Sequence, residues 1–439
     1  MASEKNKLSK SFFSLSIVQI ANNILPLITV PYISRIFGPD KFGELSFATS
    51  YVAYFLLFIG FGFDLSATRK ISQKPNDENH RSLVFSEVLS AQTVLFLISV
   101  VVFSILLFVI PEFQGDKRVV IFTFLLCISA LLTQNWLFMA MQDLPKVALF
   151  SFTTKLLFTL SIFFVVHKKS DYVYQPLLVG IIQISVATLS FVWAVRRYHL
   201  TFIKVSLKRC FSYLWEEKII FLSLVIGSLY TNSNVFLLGL FRDSQQVGYY
   251  SAGMRLIQIT QTILSTPLSM ALYPFIGQAF GDSKEKGILS TQKITPLIVI
   301  ICLIVGIGLF FVGPPFLSLL YGEKFKPASD VLRILAFMPL VLALSDIFGI
   351  QIMLNLKLDK LLFRIILCGS ILSLTVSFLT VRKWGYIATS YNWLFTEIFI
   401  TAALFLSLRS QGINVFNAEY FSISHLKNTF EPIKKKFFK

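Results

Sequence analysis

The chain has 439 residues, of which 55% are hydrophobic and only 14% charged, with a formal net charge of +17. A water-soluble domain carries about 25% charged residues, so this composition excludes an ordinary cytosolic enzyme and points to lipid as the main solvent. The basic excess sits in short stretches between hydrophobic runs, which makes it a membrane-surface signal and removes nucleic acid as a partner.

Taken in order, twelve apolar segments cover about 11–33, 42–63, 83–110, 119–141, 146–166 and 174–195, then 218–240, 249–280, 288–312, 330–353, 361–381 and 385–407. Each is long enough to cross a hydrocarbon core of about 30 Å. The first lacks a small-residue cleavage site and reads as a retained helix. If the segments alternate in direction, 26 Lys and Arg fall on the side of both termini and 12 on the other. By the positive-inside rule both termini are then cytoplasmic. Lys155 and Arg255 complete the 40 and fall inside apolar segments. The most basic internal connection, 196–217, separates six segments from six. The expectation is an all-α integral membrane protein with twelve transmembrane helices in two six-helix bundles. The N-terminal bundle is 1–195, the cytoplasmic connecting loop 196–217, the C-terminal bundle 218–410, and 411–439 a basic cytoplasmic tail.

The stretch Thr29–Ala48 joins the first two segments and holds Pro31, Arg35, Gly38, Pro39 and Gly43. A weak echo recurs about 205 residues later, where Gly248-Tyr249-Tyr250-Ser251 answers Gly43-Glu44-Leu45-Ser46. Because both would open on the same side, such a repeat is parallel.

Candidate functional groups are the polar side chains at membrane depth. A cation at mid-bilayer costs about 3 kcal/mol or more and so snorkels, pairs or faces water. Lys155 and Arg255 meet that description, and with Arg35 they read as a positive lining for an anion, a phosphate above all. Snorkelling of Arg255, or pairing of Lys155 with a carboxylate such as Asp346 or Glu397, is the plainer alternative. Amide pairs Asn22-Asn23 and Asn232/Asn234 interrupt the first and seventh segments, and Gln258 lies near the face of Arg255. Such amides line a polar cavity or hold helices together. Asp346, Glu397 and Asp64 are candidate coupling-ion sites for a proton or sodium; Asp64 also reads as a helix-end residue. Cys127, Cys210, Cys302 and Cys368 and the four histidines show no metal spacing, and no phosphate loop or catalytic motif is present. These readings call for no cofactor and no metal, and argue against an enzyme.

The run Pro31-Tyr32-Ile33-Ser34-Arg35-Ile36-Phe37-Gly38-Pro39-Asp40-Lys41-Phe42-Gly43, followed by Phe61-Gly62-Phe63-Asp64 and Val247-Gly248-Tyr249-Tyr250-Ser251, resembles the Wzx-type polysaccharide flippases of the MATE-like exporter superfamily. The resemblance spans nearly the whole chain. It implies a two-bundle transporter that moves an undecaprenyl-diphosphate-linked oligosaccharide between leaflets of the bacterial cytoplasmic membrane by alternating access. Its expected partners are that substrate and membrane lipid, with polysaccharide polymerase and chain-length proteins as candidates. The membrane potential favours outward movement of anions by about 2.3 kcal/mol per charge per 100 mV, so a coupling ion is not required. The alternatives are a MATE-like cation-coupled multidrug exporter, which wants carboxylates to dominate the cavity, and a non-transporting scaffold.

Overall fold

In hydrocarbon every backbone N–H and C=O needs an internal partner, which leaves a chain of this composition the helix as its regular structure. The computed structural model describes residues 2–109 and 115–422, with backbone alone over 2–24, 26–27, 229–231, 266–267 and 270–271. Helices carry nearly all of it, and no strand occurs among the described residues.

The first helix, α1 (Ala2–Gly60), is 59 residues long and turns a corner at Gly38, whose φ of 73° and ψ of 174° are non-helical. That backbone suits glycine, and Pro39 restarts the helix with its φ already set. At 1.5 Å per residue an unbroken helix of that length would be far longer than a membrane is thick, so the corner makes it two limbs. The last long helix, α15 (Asp359–Ser410), repeats the device at Gly385 with φ 58° and ψ −138°.

Between them lie α2 (Phe63–Ser72), α3 (Glu78–Val109), α4 (Lys117–Leu132), α5 (Asn135–Ala140), α6 (Leu144–Val165), α7 (Tyr174–Arg197) and α8 (Leu207–Glu216). Then follow α9 (Lys218–Phe241), α10 (Ser244–Asp282), α11 (Lys284–Phe311), α12 (Gly313–Tyr321), α13 (Ala328–Ile334) and α14 (Met338–Asp346). Short 3₁₀ turns and a π-helical stretch over Ile347–Leu354 complete the described chain.

Among the described residues eight helices are long and apolar enough to cross a membrane, and a ninth is reached if Lys218–Ser228 and Asn232–Phe241, bent by 56°, form one span. The protein is thus a multi-pass membrane protein. Each of the twelve apolar segments lies on helix, the first two on the limbs of α1 and the last two on those of α15. The fourth is interrupted at Thr133–Gln134, where α4 ends and α5 begins, and the tenth at 335–337, between α13 and α14.

The chain divides into two compact units. Unit 1 holds Met1–Ser228, Gly239–Gly248 and Leu320–Gly322; unit 2 holds Leu229–Leu238, Tyr249–Leu319 and Glu323–Lys439. Unit 1 has an aromatic core in which Phe63, Phe85, Trp136, Phe138 and Tyr213 are almost fully buried. The core of unit 2 is aliphatic around Ile298, Ile347, Ile352, Ile365 and Leu404, with Phe348 inside it. The connection after α7 is more than a loop. Ser206 caps α8 by accepting from the Arg209 backbone N–H, and Cys210, Tyr213 and Leu214 enter the unit 1 core. Buried Arg81 on α3 clamps the start of this connection. Its guanidinium donates to the Tyr198 carbonyl at 2.6 and 3.2 Å and to that of Pro75 at 2.9 Å.

Candidate functional site

The signature stretch is built first of all as a joint within unit 1. Tyr32 donates its hydroxyl to the Val166 carbonyl at 2.6 Å and packs on Phe163. Beyond the Gly38 corner, Asp40 pairs with Lys169 at 2.8 Å, and Lys41 bonds buried Glu44 while lying over the Tyr172 ring. Phe42 meets Tyr321 edge-on with centroids 5.8 Å apart. The second limb of α1 crosses the start of α10 with backbone against backbone. A Cβ added to Gly43 would lie 1.7 Å from the Ser244 carbonyl oxygen, and one added to Gly248 would lie 2.0 Å from that of Pro39. The contact is reciprocal: Pro39 and Gly43 stand to Ser244 and Gly248 at one offset of 205 residues. The two motifs that echo each other along the chain therefore meet in space. Only residues without a Cβ allow helices this close.

The signature's Arg35 is exposed on the first limb, just before the corner. Lys155 is half-buried near the middle of α6, between Ser151 and Thr159 on the turns before and after it. Both belong to unit 1. Arg255 lies in unit 2, exposed on α10, and forms no ion pair among the described residues; half-buried Gln258 follows three positions later. The cations are thus distributed over both units. An exposed guanidinium in an apolar helix presents a planar set of donors that matches a phosphate or carboxylate.

The amides fare differently from one another. Asn22 and Asn23 lie on α1 where only backbone is described. Asn232 is half-buried, whereas Asn234 is 2% exposed and sits in a network with Asn392 of α15. The Asn392 amide donates to Ser377 Oγ at 2.8 Å and to Ser373 Oγ and O at 3.1 and 3.2 Å, with Asn234 Oδ1 at 3.4 Å. This cluster joins the two limbs of α15 to α9 inside unit 2. Hydrogen bonds of this kind between membrane helices contribute about 0.6–2 kcal/mol each. Asn392→Ala is accordingly expected to lower stability by about 1–3 kcal/mol in thermal unfolding of the detergent-solubilised protein. An unchanged unfolding temperature would show the network to be dispensable.

Asp346 accepts from Ser269 Oγ at 2.9 Å and Gln351 Nε2 at 3.2 Å, a triad of α14, α10 and the π-helical stretch. Glu397 is 2% exposed on the second limb of α15, one turn after Trp393. No cation partners either carboxylate among the described residues. Asp64 is exposed in the first turn of α2, where a negative charge complements the helix N-terminus.

Sequence reasoning had no means to see the Gly43–Ser244 and Gly248–Pro39 contacts. The echo pointed to the glycines, but only the structure shows them touching. Among the described residues no group of three or more His, Cys, Asp or Glu could hold a metal ion.

Comparison with known proteins places these features in a family. A chain of Escherichia coli (strain K12) named for O-antigen transport is 24% identical over 94% of this chain and its own full length. One of Shigella dysenteriae with the same name is 26% identical over 90% of this chain and 98% of its own. In structure the chain resembles the lipid II flippase MurJ in an inward closed conformation, with TM-score 0.73 at 14% identity, covering 96% of this chain and 93% of that one. An inward-facing multidrug resistance MATE family transporter of the MOP superfamily gives TM-score 0.69 at 13% identity, covering 90% of this chain and 97% of that one. A sequence model of the MatE family matches residues 219–379, and that of the polysaccharide biosynthesis protein family matches 8–280. The second match takes in more than half of the sequence, including the signature stretch and the glycine crossing, and the chain belongs to the polysaccharide biosynthesis protein family.

Proposed function

We propose that the protein is a flippase that moves an undecaprenyl-diphosphate-linked oligosaccharide repeat unit from the cytoplasmic to the outer leaflet of the bacterial inner membrane, for surface polysaccharide synthesis. The observation that carries this reading is the full-length match to relatives named for O-antigen transport, joined to basic side chains on apolar helices of both units. In this reading twelve spans form two six-helix bundles, 1–195 and 218–410, joined by the cytoplasmic stretch 196–217, with both termini cytoplasmic and 411–439 a basic tail. The substrate's diphosphate and acidic sugars are drawn by Arg35, Lys155 and Arg255; Asn22, Asn23, Asn232, Asn234 and Gln258 bond its glycan. The lipid tail stays in the bilayer. A diphosphate moving outward runs down the membrane potential, about 2.3 kcal/mol per charge per 100 mV. Asp346, Glu397 and Asp64 are the groups for a coupling proton or sodium, and a polymerase and chain-length proteins are the partners that would take the product.

The test uses a strain lacking the gene but retaining its glycosyltransferases. Lipid-linked repeat units are expected to accumulate on the cytoplasmic face, relieved by wild type and not by Arg255→Ala. Relief by Arg255→Ala as complete as by wild type removes Arg255 from the path, and no accumulation removes flipping. One observation favours a second reading, cation-coupled drug export: Glu397 is a buried carboxyl without a cation partner among the described residues. Drug sensitivity of the deletion strain with normal glycans would establish that reading instead.

A further inference from the structure

The helix α8 has three faces rather than two. At 100° per residue, Leu207, Phe211 and Trp215 fall 40° apart on one strip. All three are exposed, at 66%, 55% and 70%. The next strip carries Lys208, Ser212 and Glu216, also exposed, and the third carries Cys210, Tyr213 and Leu214, buried in unit 1. Ion pairs hold the helix in this orientation. Arg209 Nε lies 2.7 Å from buried Glu87 of α3. Past its other end, Glu217 meets Arg69 and Lys70 of α2 at 3.2 and 3.4 Å. The apolar strip cannot therefore roll inward. It is held outward on a helix whose opposite side is already satisfied.

We infer that this strip is immersed in the bilayer at the headgroup boundary, with Lys204, Lys208 and Lys218 beside it binding anionic phospholipid of the inner leaflet. Two features single out lipid as the occupant. The strip runs on into Ile219 and Leu222, 70% and 51% exposed, at the start of α9, which with its bend is itself apolar enough for a span. At the join, Lys218 Nζ stands 3.4 Å from the centroid of the Trp215 ring. An indole with an ammonium over it suits the interface, where the ring body is wanted by acyl chains and the charge by phosphate. The lysines supply the charge complement of an anionic surface. The inner-leaflet assignment rests on the proposed orientation, in which 196–217 is cytoplasmic. The helix thereby ties unit 1 to one leaflet and makes its setting there depend on lipid charge.

The test uses the full chain with Cys368→Ser, spin-labelled at Phe211→Cys or at Ser212→Cys, in bilayers of phosphatidylcholine with or without phosphatidylglycerol. The label at 211 is expected to be about tenfold more accessible to oxygen, relative to a water-soluble nickel chelate, than the label at 212. Phosphatidylglycerol should deepen the 211 label, and combined Lys204→Gln, Lys208→Gln and Lys218→Gln should abolish that response. A 211 label as open to nickel as 212 overturns immersion and leaves the strip to a protein partner. Equal depth in both lipids overturns the anionic preference. An impermeant thiol reagent applied to intact cells should spare Ser212→Cys; its modification overturns the inner-leaflet assignment. None of these readouts requires transport, so loss of the flippase reading would leave them standing.

Discussion

Gly43→Ala is expected to abolish surface polysaccharide while the protein still reaches the membrane, with at least about a tenfold loss of function. The added methyl would stand 1.7 Å from a carbonyl oxygen that belongs to backbone and cannot rotate away. The second limb of α1 and the start of α10 would have to separate by more than about 1 Å, and overpacking of this kind costs about 1–3 kcal/mol. Gly248→Ala meets the Pro39 carbonyl at 2.0 Å and should act alike. Because both methyls press on one crossing, the double variant should cost less than the sum of the singles. Thermal unfolding and polysaccharide staining of the three variants decide the matter. Wild-type values for either single variant, or strict additivity in the double, would mean the two glycines do not share a joint.

Arg81→Ala should produce the largest loss of stability among polar substitutions in unit 1. Arg81 is 5% exposed and its guanidinium gathers the carbonyls of Tyr198 and Pro75, so its removal leaves acceptors unpaired where the connection to α8 begins. Hydrogen bonds from a charged donor contribute about 1.5–3 kcal/mol, and the set together should cost about 3–5 kcal/mol. In a unit of this size that lowers the unfolding temperature by roughly 6–20 °C. Arg81→Lys should recover only part of this, because one ammonium cannot span both carbonyls as the planar fork does. An Arg81→Ala protein that unfolds within about 1 °C of wild type would show that the clamp carries no weight.

The helical, membrane-embedded architecture was legible because lipid removes the alternatives. Apolar segments of span length have to be helical in hydrocarbon, so reading them along the chain anticipated helix at each of the eight candidate spans among the described residues, while the count of twelve goes beyond those eight. The corner at Gly38 was announced by the prolines and glycines around it, and that at Gly385 falls at the break between the segments 361–381 and 385–407. The functional class was legible for a different reason, since the signature from Pro31 to Gly43 is local in sequence.

What the sequence left open was which polar side chains meet. Asn232 and Asn234 are equivalent on paper, yet one is half-buried and the other is enclosed beside Asn392, 158 residues away. The connection 196–217 read as a basic loop because its Arg196, Arg197, Lys204, Lys208 and Arg209 break the apolar runs on either side. Its helical strips acquire meaning only when one of them is seen inside the core of unit 1. Composition and hydropathy along one chain determined the solvent and the helices, and the motif from Pro31 to Gly43 carried the resemblance to the family. The reciprocal approach of Gly43 and Gly248 was decided by tertiary structure alone, because a close contact is a property of two backbones that lie 205 residues apart and no local pattern encodes the distance between them.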